Sequence, residues 1–545
     1  MKNIITIIAA TAVSMQMYAQ NVDEGVKMYQ YERYETAKNI LSSFADKDQV
    51  ANYYYGLSLI ELGELDAAQN VFNKSDNYYN QAGKARILYI KNKPEEAQKL
   101  LEEITDKAKR REWEKLKVAA DAITYTKGGN IGLAISWYLT AIERNDKDAD
   151  LQIALGDAYF RLVEGGGNAM VSYEKAEEIG TNNSLALSRI GRLWYVAQQY
   201  DDALVAYNKA KEADPLNPLP YRDLANAYQA AGNYENALLN IEEYLAKSDQ
   251  SVDNKITYAN LLYEAKKYDL AQNKMEELIA EGHERPYMYR IIAYTAFELD
   301  DVQKAQENMA LFFQKAKQEE LINNDYIYAA KINATLAKEL KDANANIEDS
   351  EDETFLENNA KIADYTKEID ANLAKIALEK DAQKAPIYRE LGVFFKDVQD
   401  YNRAAHYYKK IVDLENYEAQ VLDYYYWGFW NFYAQNLEEA LEAFEVMERE
   451  FPDEGSALYW QARVKAAQYP EAKEDVAVIA YQKWIDFENE NYTHSDTELM
   501  TAYQYITFYH YNNDNKEKAL KYASKIKEIE TDNAFAQQII DYFNQ

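Results

Sequence analysis

The sequence predicts an all-α protein built as a solenoid of stacked helix-turn-helix repeats. Three observations carry this. The 545 residues hold only 18 Gly and 8 Pro, sparse punctuation that favours long helices joined by short turns. Small and large apolar residues recur with a period of 34. The length exceeds one compact core, while a hydrophobic fraction of 48% is enough to build an extended one.

The period is plainest in LSRIGRLWYVAQQYDDALVAYNKAKEADP at 187–215. It carries Ile190-Gly191, Trp194, Ala203, Tyr207, Ala210 and Pro215. Leu224-Ala225, Tyr228, Ala237, Ile241 and Tyr244 follow 34 positions on. Tyr258-Ala259, Leu262, Ala271, Met275 and Leu278 repeat the set, then Ile292-Ala293, Ala305, Met309 and Phe312. Spacings of three and four put these residues on one helical stripe. The small residue lets a second helix approach, and a polar turn such as Gly232-Asn233 separates the two. A lone hairpin of this kind cannot bury its stripe; stacked copies can.

In chain order, MKNIITIIAATAVSMQMYAQN reads as a secretory leader over 1–19. It has Lys2, an apolar run from Ile4 to Val13, and Met17-Tyr18-Ala19 before Gln20. A first array is expected over 20–340. An irregular unit over 341–384 carries Glu348, Asp349, Glu351, Asp352 and Glu353, a charge run expected as a solvated loop. The following helix is expected near 361–381. A second array then runs over 385–545, ending in FAQQIIDYFNQ as a capping helix. No further stretch of about 18 apolar residues occurs, so no integral membrane span is expected.

These repeats resemble the tetratricopeptide family, whose pattern is a large residue, Leu-Gly, an aromatic, Ala, an aromatic, Ala and Pro. The segment 187–215 matches nearly throughout. Tyr55-Gly56 with Ala68 and Phe72, Leu155-Gly156 with Tyr159, Tyr173 and Ala176, and Leu391-Gly392 with Phe395, Ala404 and Tyr408 also match. The turn at Gly165–Gly167 inserts one extra residue. About thirteen or fourteen units cover nearly all of 22–540. The resemblance implies a right-handed superhelix whose first helices line a groove, and binding of a protein or peptide there.

The composition removes several chemistries. There is no Cys, hence no disulfide, thiolate nucleophile or lipid-bearing cysteine. His283, His406, His494 and His510 form no pair at helical spacing, and no HExxH, GxSxG or P-loop motif occurs. The chain is read as non-catalytic, with no cofactor and no metal. A formal net charge of −32 disfavours nucleic acid and fits a soluble surface or a basic partner.

Two candidate partner-binding groups stand out. Some tetratricopeptide arrays clamp a C-terminal carboxylate with Lys, Asn and Arg; Arg222, Asn226 and Arg290 offer part of such a set. The second is DYYYWGFWNFY at 423–433. Counting twelve back from Ala440 gives Gly428, so Tyr424, Trp427 and Gly428 form the packing stripe. Asn431 stands where an aromatic is usual. Tyr425, Tyr426, Phe429, Phe432 and Tyr433 fall on another arc, towards the groove. Those five are open to two roles, inter-repeat packing or a binding surface. The expected function is a protein-interaction scaffold in a bacterial cell envelope, exported to the periplasm and associated with outer-membrane machinery. The alternative is a glycan- or solute-binding protein using the aromatic groove residues.

Overall fold

In the repeats that carry glycine at the small position, the hairpin closes where that glycine meets the repeat's own aromatic ring. In helix Gln49–Glu61, a Cβ added to Gly56 would stand 2.3 Å from the Phe72 ring on helix Leu65–Asn73. The corresponding approach is 2.6 Å for Gly191 to Tyr207, 2.8 Å for Gly392 to Tyr408 and 2.6 Å for Gly428 to Phe444. Carbon atoms rest comfortably near 3.5 Å, so only glycine permits these helices to come so close. Each pair lies sixteen residues apart, as 56 to 72 shows. Gly156 meets Tyr173 instead, seventeen on, because the turn at 165–167 holds the extra residue. Phe72 is met on its other side by Gly83 of the next hairpin, so one ring ties two repeats together.

The turns repeat as faithfully as the packing. A left-handed residue recurs at Gln198 (φ 60), Gly232 (φ 71), Lys266 (φ 57) and Asp300 (φ 60). It lets the chain reverse while the last carbonyls of the first helix stay paired: Gln199 N–H donates to Trp194 O at 2.9 Å and Asn233 N–H to Tyr228 O at 2.8 Å. The following residue often starts the second helix, as Asn233 does by accepting from Asn236 N.

The computed structural model describes residues 21–180, 183–490 and 492–544. The leader expected over 1–19 lies outside the described residues. Among those described there is no β-strand, only a single bridge between Asn489 and Tyr492. The architecture is all-α, consecutive helices packing as antiparallel hairpins. Contacts divide the chain into two units between Leu299 and Asp300.

In the first unit the first helices of neighbouring hairpins touch one another, as Gln49–Glu61 does Tyr78–Ile90. They therefore take the inside of the curve. The curvature brings the first hairpin back onto hairpins far along the chain. Lys27 pairs with Asp214 at 2.9 Å, Tyr31 donates to the same carboxylate, and Thr36 N–H donates to Asp249 at 3.0 Å.

The second unit opens with Val302–Lys315 and a long antiparallel pair, Asn323–Asn344 and Glu353–Leu373. The acidic run does form an exposed turn before Glu353. The helix after it begins eight residues earlier than the expected 361. Asp352 caps it by accepting from Thr354 N and Phe355 N, and Glu353 adds negative charge to the first turn. Hairpins follow over 381–412, 421–450, 455–485 and 496–529, and helix Ala534–Asn544 packs Ala536 and Ile539 onto the last.

Candidate functional site

The aromatic window forms helix Val421–Tyr433, in the register counted from Ala440. Trp427 and Gly428 are buried in the hairpin, and Tyr424 packs edge-on against Phe451 at 5.3 Å. Asn431 is buried too. Its amide donates to Trp427 O, and its own oxygen accepts from Asn436, so a polar pair replaces the usual ring at the hairpin turn.

The five surplus aromatics divide. Tyr425 stacks on Phe429 at 5.4 Å, and both meet Trp460 of the next first helix edge-on, at 6.2 and 4.9 Å. Tyr426 turns the other way, 5.1 Å from Tyr408. Phe432 lies 5.4 Å from Trp460 with one side towards the groove, and Tyr433 is 47% exposed. Trp460, itself buried, is thus seated by rings from the preceding repeat.

Beside Phe432 stands a residue that sequence reasoning passed over. Arg463 lies on helix Gly455–Gln468, its guanidinium 5.6 Å from the Phe432 ring centre and 5.3 Å from that of Trp460. It donates to the Tyr459 hydroxyl at 3.3 Å and has no ion-pair partner among the described residues. Burial works against its charge, but the Tyr459 hydrogen bond and nearby phenol oxygens outweigh that and raise its pKa. Two other half-buried arginines of this unit are matched: Arg389 to Asp423 at 2.8 Å, Arg403 to Asp370 at 2.6 Å. Phe432, Arg463, Gln504, Tyr505, Phe508 and Phe535 line one groove across three successive first helices and the terminal helix. The only sequence signal was an Arg three and four residues after Trp460 and Tyr459, on the same helical face.

The carboxylate-clamp candidates lie in the first unit. Arg222, on helix Leu219–Ala230, donates to Glu32 and to Asp223 at 3.2 Å. Its charge is already engaged, so a partner carboxylate would have to displace two resident ones. Asn226 is exposed one turn on, and Arg290 is half-buried on helix Pro286–Glu298.

The inside of the first unit also holds a partly open cavity of about 290 Å³. Its cations are paired: Arg86 with Glu61, Lys117 with Asp121 at 2.8 Å, Arg189 with Asp157 at 2.9 Å. Asp157 also accepts from Tyr125 at 2.9 Å and Tyr173 at 2.8 Å. Gln30, from the first hairpin, donates to Asp150 across the cavity at 3.2 Å. Among the described residues no group of three or more acidic or histidine side chains is arranged to hold a metal ion.

The period of 34, the glycine-to-ring contact and the left-handed turn define these hairpins as tetratricopeptide-type repeats in an α-solenoid. No protein-family model matches the chain, and no curated protein matches it. Solved structures do. The C-terminal part of a TPR repeat-containing protein from Cytophaga hutchinsonii is 21% identical, with TM-score 0.36, covering 52% of this chain and 98% of its own. A tetratricopeptide repeat protein from Parabacteroides merdae is 19% identical, with TM-score 0.33, covering 48% and 98%. YrrB, described as a TPR protein with an unusual peptide-binding site, is 18% identical, with TM-score 0.30, covering 34% and 93%. The repeat type rests on the chain's own hairpin geometry rather than on these likenesses.

Proposed function

We propose that the protein is a non-catalytic interaction scaffold that holds a protein or peptide partner along the groove of its second unit. Arg463 carries the reading. It is a cation without a carboxylate, set against Phe432 and Trp460, in a chain with a net charge of −32. A partly desolvated guanidinium over aromatic rings is a strong point of attachment for a carboxylate. Phe432 and Tyr433 offer apolar surface beside it, while Tyr425, Tyr426 and Phe429 act by holding Trp460 and the neighbouring helices in place. The partner segment would bring a carboxylate and an apolar side chain; the chain's net charge of −32 favours a partner that is otherwise basic.

The leader pattern at 1–19 supports export, and the periplasm of a bacterial envelope, next to outer-membrane machinery, is the setting we assign. No helix among the described residues is long and apolar enough to cross a membrane. The glycan alternative draws less support, because stacking on a sugar needs open ring faces and three of the five candidate rings, Tyr425, Tyr426 and Phe429, are spent on each other and on Trp460 and Tyr408.

A photo-crosslinking residue at Gln504, inside the groove, tests the reading against one at Glu442, on the outer helix Leu437–Glu450. The expected result in cells is one adduct of constant mass from position 504, none from 442, and a several-fold loss in Arg463→Gln. Equal adducts from both faces, or an Arg463→Gln variant that crosslinks as before, would remove the groove from the account.

A further inference from the structure

In a stack of repeats each hairpin needs only its neighbours. The first hairpin of this chain, over 21–42, does more. Its turn reaches across the curve of the first unit to hairpins far along the chain. Lys27 and Tyr31 both hold the Asp214 carboxylate, Lys27 at 2.9 Å. Glu32, the left-handed residue of the turn at φ 57, takes Arg222. Arg33 reaches Asp249 at 3.4 Å, and Thr36 donates to it from its N–H, at 3.0 Å, and from its hydroxyl. Asp214 follows helix Tyr200–Ala213, and Asp249 lies just past helix Tyr234–Lys247. They occupy matching places in successive repeats, so one turn bridges two repeat ends. Helix Tyr34–Ser42 uses the contact directly: its N-cap residue, Arg33, supplies no side-chain cap. Asp249, 213 residues away in sequence, accepts the first-turn N–H instead and sets a negative charge at the positive end of the helix.

The first hairpin is held in two different ways. Its seat on the next hairpin is apolar: Met28, Ala37 and Leu41 are buried with Ala51 in one cluster. Its bonds across the curve are polar and half in water. Lys27, Glu32, Arg33 and Arg222 keep 29–40% of their side-chain surface exposed. Ion pairs so placed are individually weak and are screened by salt. Screening therefore loosens the bonds across the curve and leaves the apolar seat in place. The cavity lies behind these bonds. Tyr29, Gln30 and Glu32 of the first hairpin form part of its wall, facing Asp157 and Arg189 of later hairpins, so release of the turn opens it.

We propose that the turn of the first hairpin is an electrostatic latch. It closes the inner face of the first unit through Asp214, Arg222 and Asp249. It releases as a body, still folded on the next hairpin, when its ion pairs are screened. The latch is independent of the groove in the second unit.

Pulsed electron-resonance distances between two spin labels on the full chain test this. The chain has no Cys, so each introduced label site is unique. Ser43→Cys with Leu239→Cys, both exposed, spans the latch. Ser43→Cys with Asn70→Cys, also exposed, spans only the first hairpin and its neighbour. Raising salt from about 0.1 M to about 1 M shortens the Debye length from about 10 Å to about 3 Å. The expected result across the latch is one distance at low salt. At high salt a second should appear, longer by about 10 Å or more, the width of one helix. Asp214→Asn with Asp249→Ala should show that longer distance at low salt already; the Asn oxygen still accepts from Leu216 N and so keeps its own turn. The 43–70 distance should stay unchanged throughout. A single distance across the latch at both salts would overturn the proposal, as would opening by salt that the double variant does not reproduce. Broadening of the 43–70 distance together with the other would mean that the hairpin unfolds rather than swings, and would overturn it too.

Discussion

Gly191→Ala puts one methyl group into the contact that defines the repeat. Its Cβ would lie 2.6 Å from two atoms of the Tyr207 ring, which must retreat by about 1 Å to regain a normal carbon separation. Tyr207 is 2% exposed in a filled core, so the retreat is resisted, and overpacking of this kind costs ~1–3 kcal/mol. Against that, Ala is better than Gly inside a helix by about 1 kcal/mol. The clash wins, for a net loss of about 1 kcal/mol. Gly167→Ala is the control, since nothing lies within 4 Å of its added Cβ and only the helix gain remains. Repeat arrays open piecewise, so the assay is native-state hydrogen exchange of helices Asn183–Val196 and Tyr200–Ala213 rather than a global melt. Protection should fall in Gly191→Ala and hold or rise, for helix Gly166–Ile179, in Gly167→Ala. In a Tyr207→Ala background the ring is gone and Gly191→Ala should become stabilising. If Gly191→Ala strengthens protection with the ring present, the glycine-to-ring contact is not what sets the hairpin spacing.

Other consequences follow from the same geometry. Lys266 is exposed and left-handed at φ 57, so Lys266→Gly should stabilise its hairpin by about 0.5–1 kcal/mol, read as slower exchange in helix Val252–Glu264. Asp352→Ala removes the cap on Thr354 N and Phe355 N and should cost ~1 kcal/mol, seen as fraying of the first turn of helix Glu353–Leu373. Burial, reinforced by Lys518, lowers the pKa of His510, so the unfolded chain takes up the proton first on acidification. Its stabilising contribution is therefore intact above the ordinary value of about 6.5 and lost as pH falls through the lowered folded value. Protection factors in helix Asp496–Asn512, taken relative to the intrinsic exchange rate at each pH, should fall between pH 7.5 and 5.5, and His510→Gln should flatten that dependence.

Much of the fold was legible in the sequence because a repeat writes its own contacts at fixed offsets. Gly56 with Phe72 and Gly428 with Phe444 could be counted before any coordinates, and the extra residue at 165–167 reappears as a seventeen-residue offset from Gly156 to Tyr173. What could not be counted depends on curvature summed over many repeats. The pairing of Glu32 with Arg222 spans 190 residues, and that of Gln30 with Asp150 spans 120. Neither follows from a local pattern, which is why Arg222 looked available and the cavity was not foreseen. The candidate site was half legible. The window 423–433 showed which residues exceed the needs of the hairpin, but their division between Trp460, Tyr408 and open groove is set by the neighbouring repeats. Arg463 is marked by the three rings of Phe432, Tyr459 and Trp460 around it and by the lack of a carboxylate, a fact of packing.

The groove's role is tested most directly by selecting random peptides displayed on phage against the full chain and, in parallel, against Arg463→Gln. The account predicts that the native protein enriches peptides with a carboxylate, a side chain or the free C-terminus, close to an aromatic or large apolar residue, and that the variant loses that motif while keeping its helical content. The same motif from both proteins, or no motif from the native one, would contradict the claim that Arg463 anchors a partner.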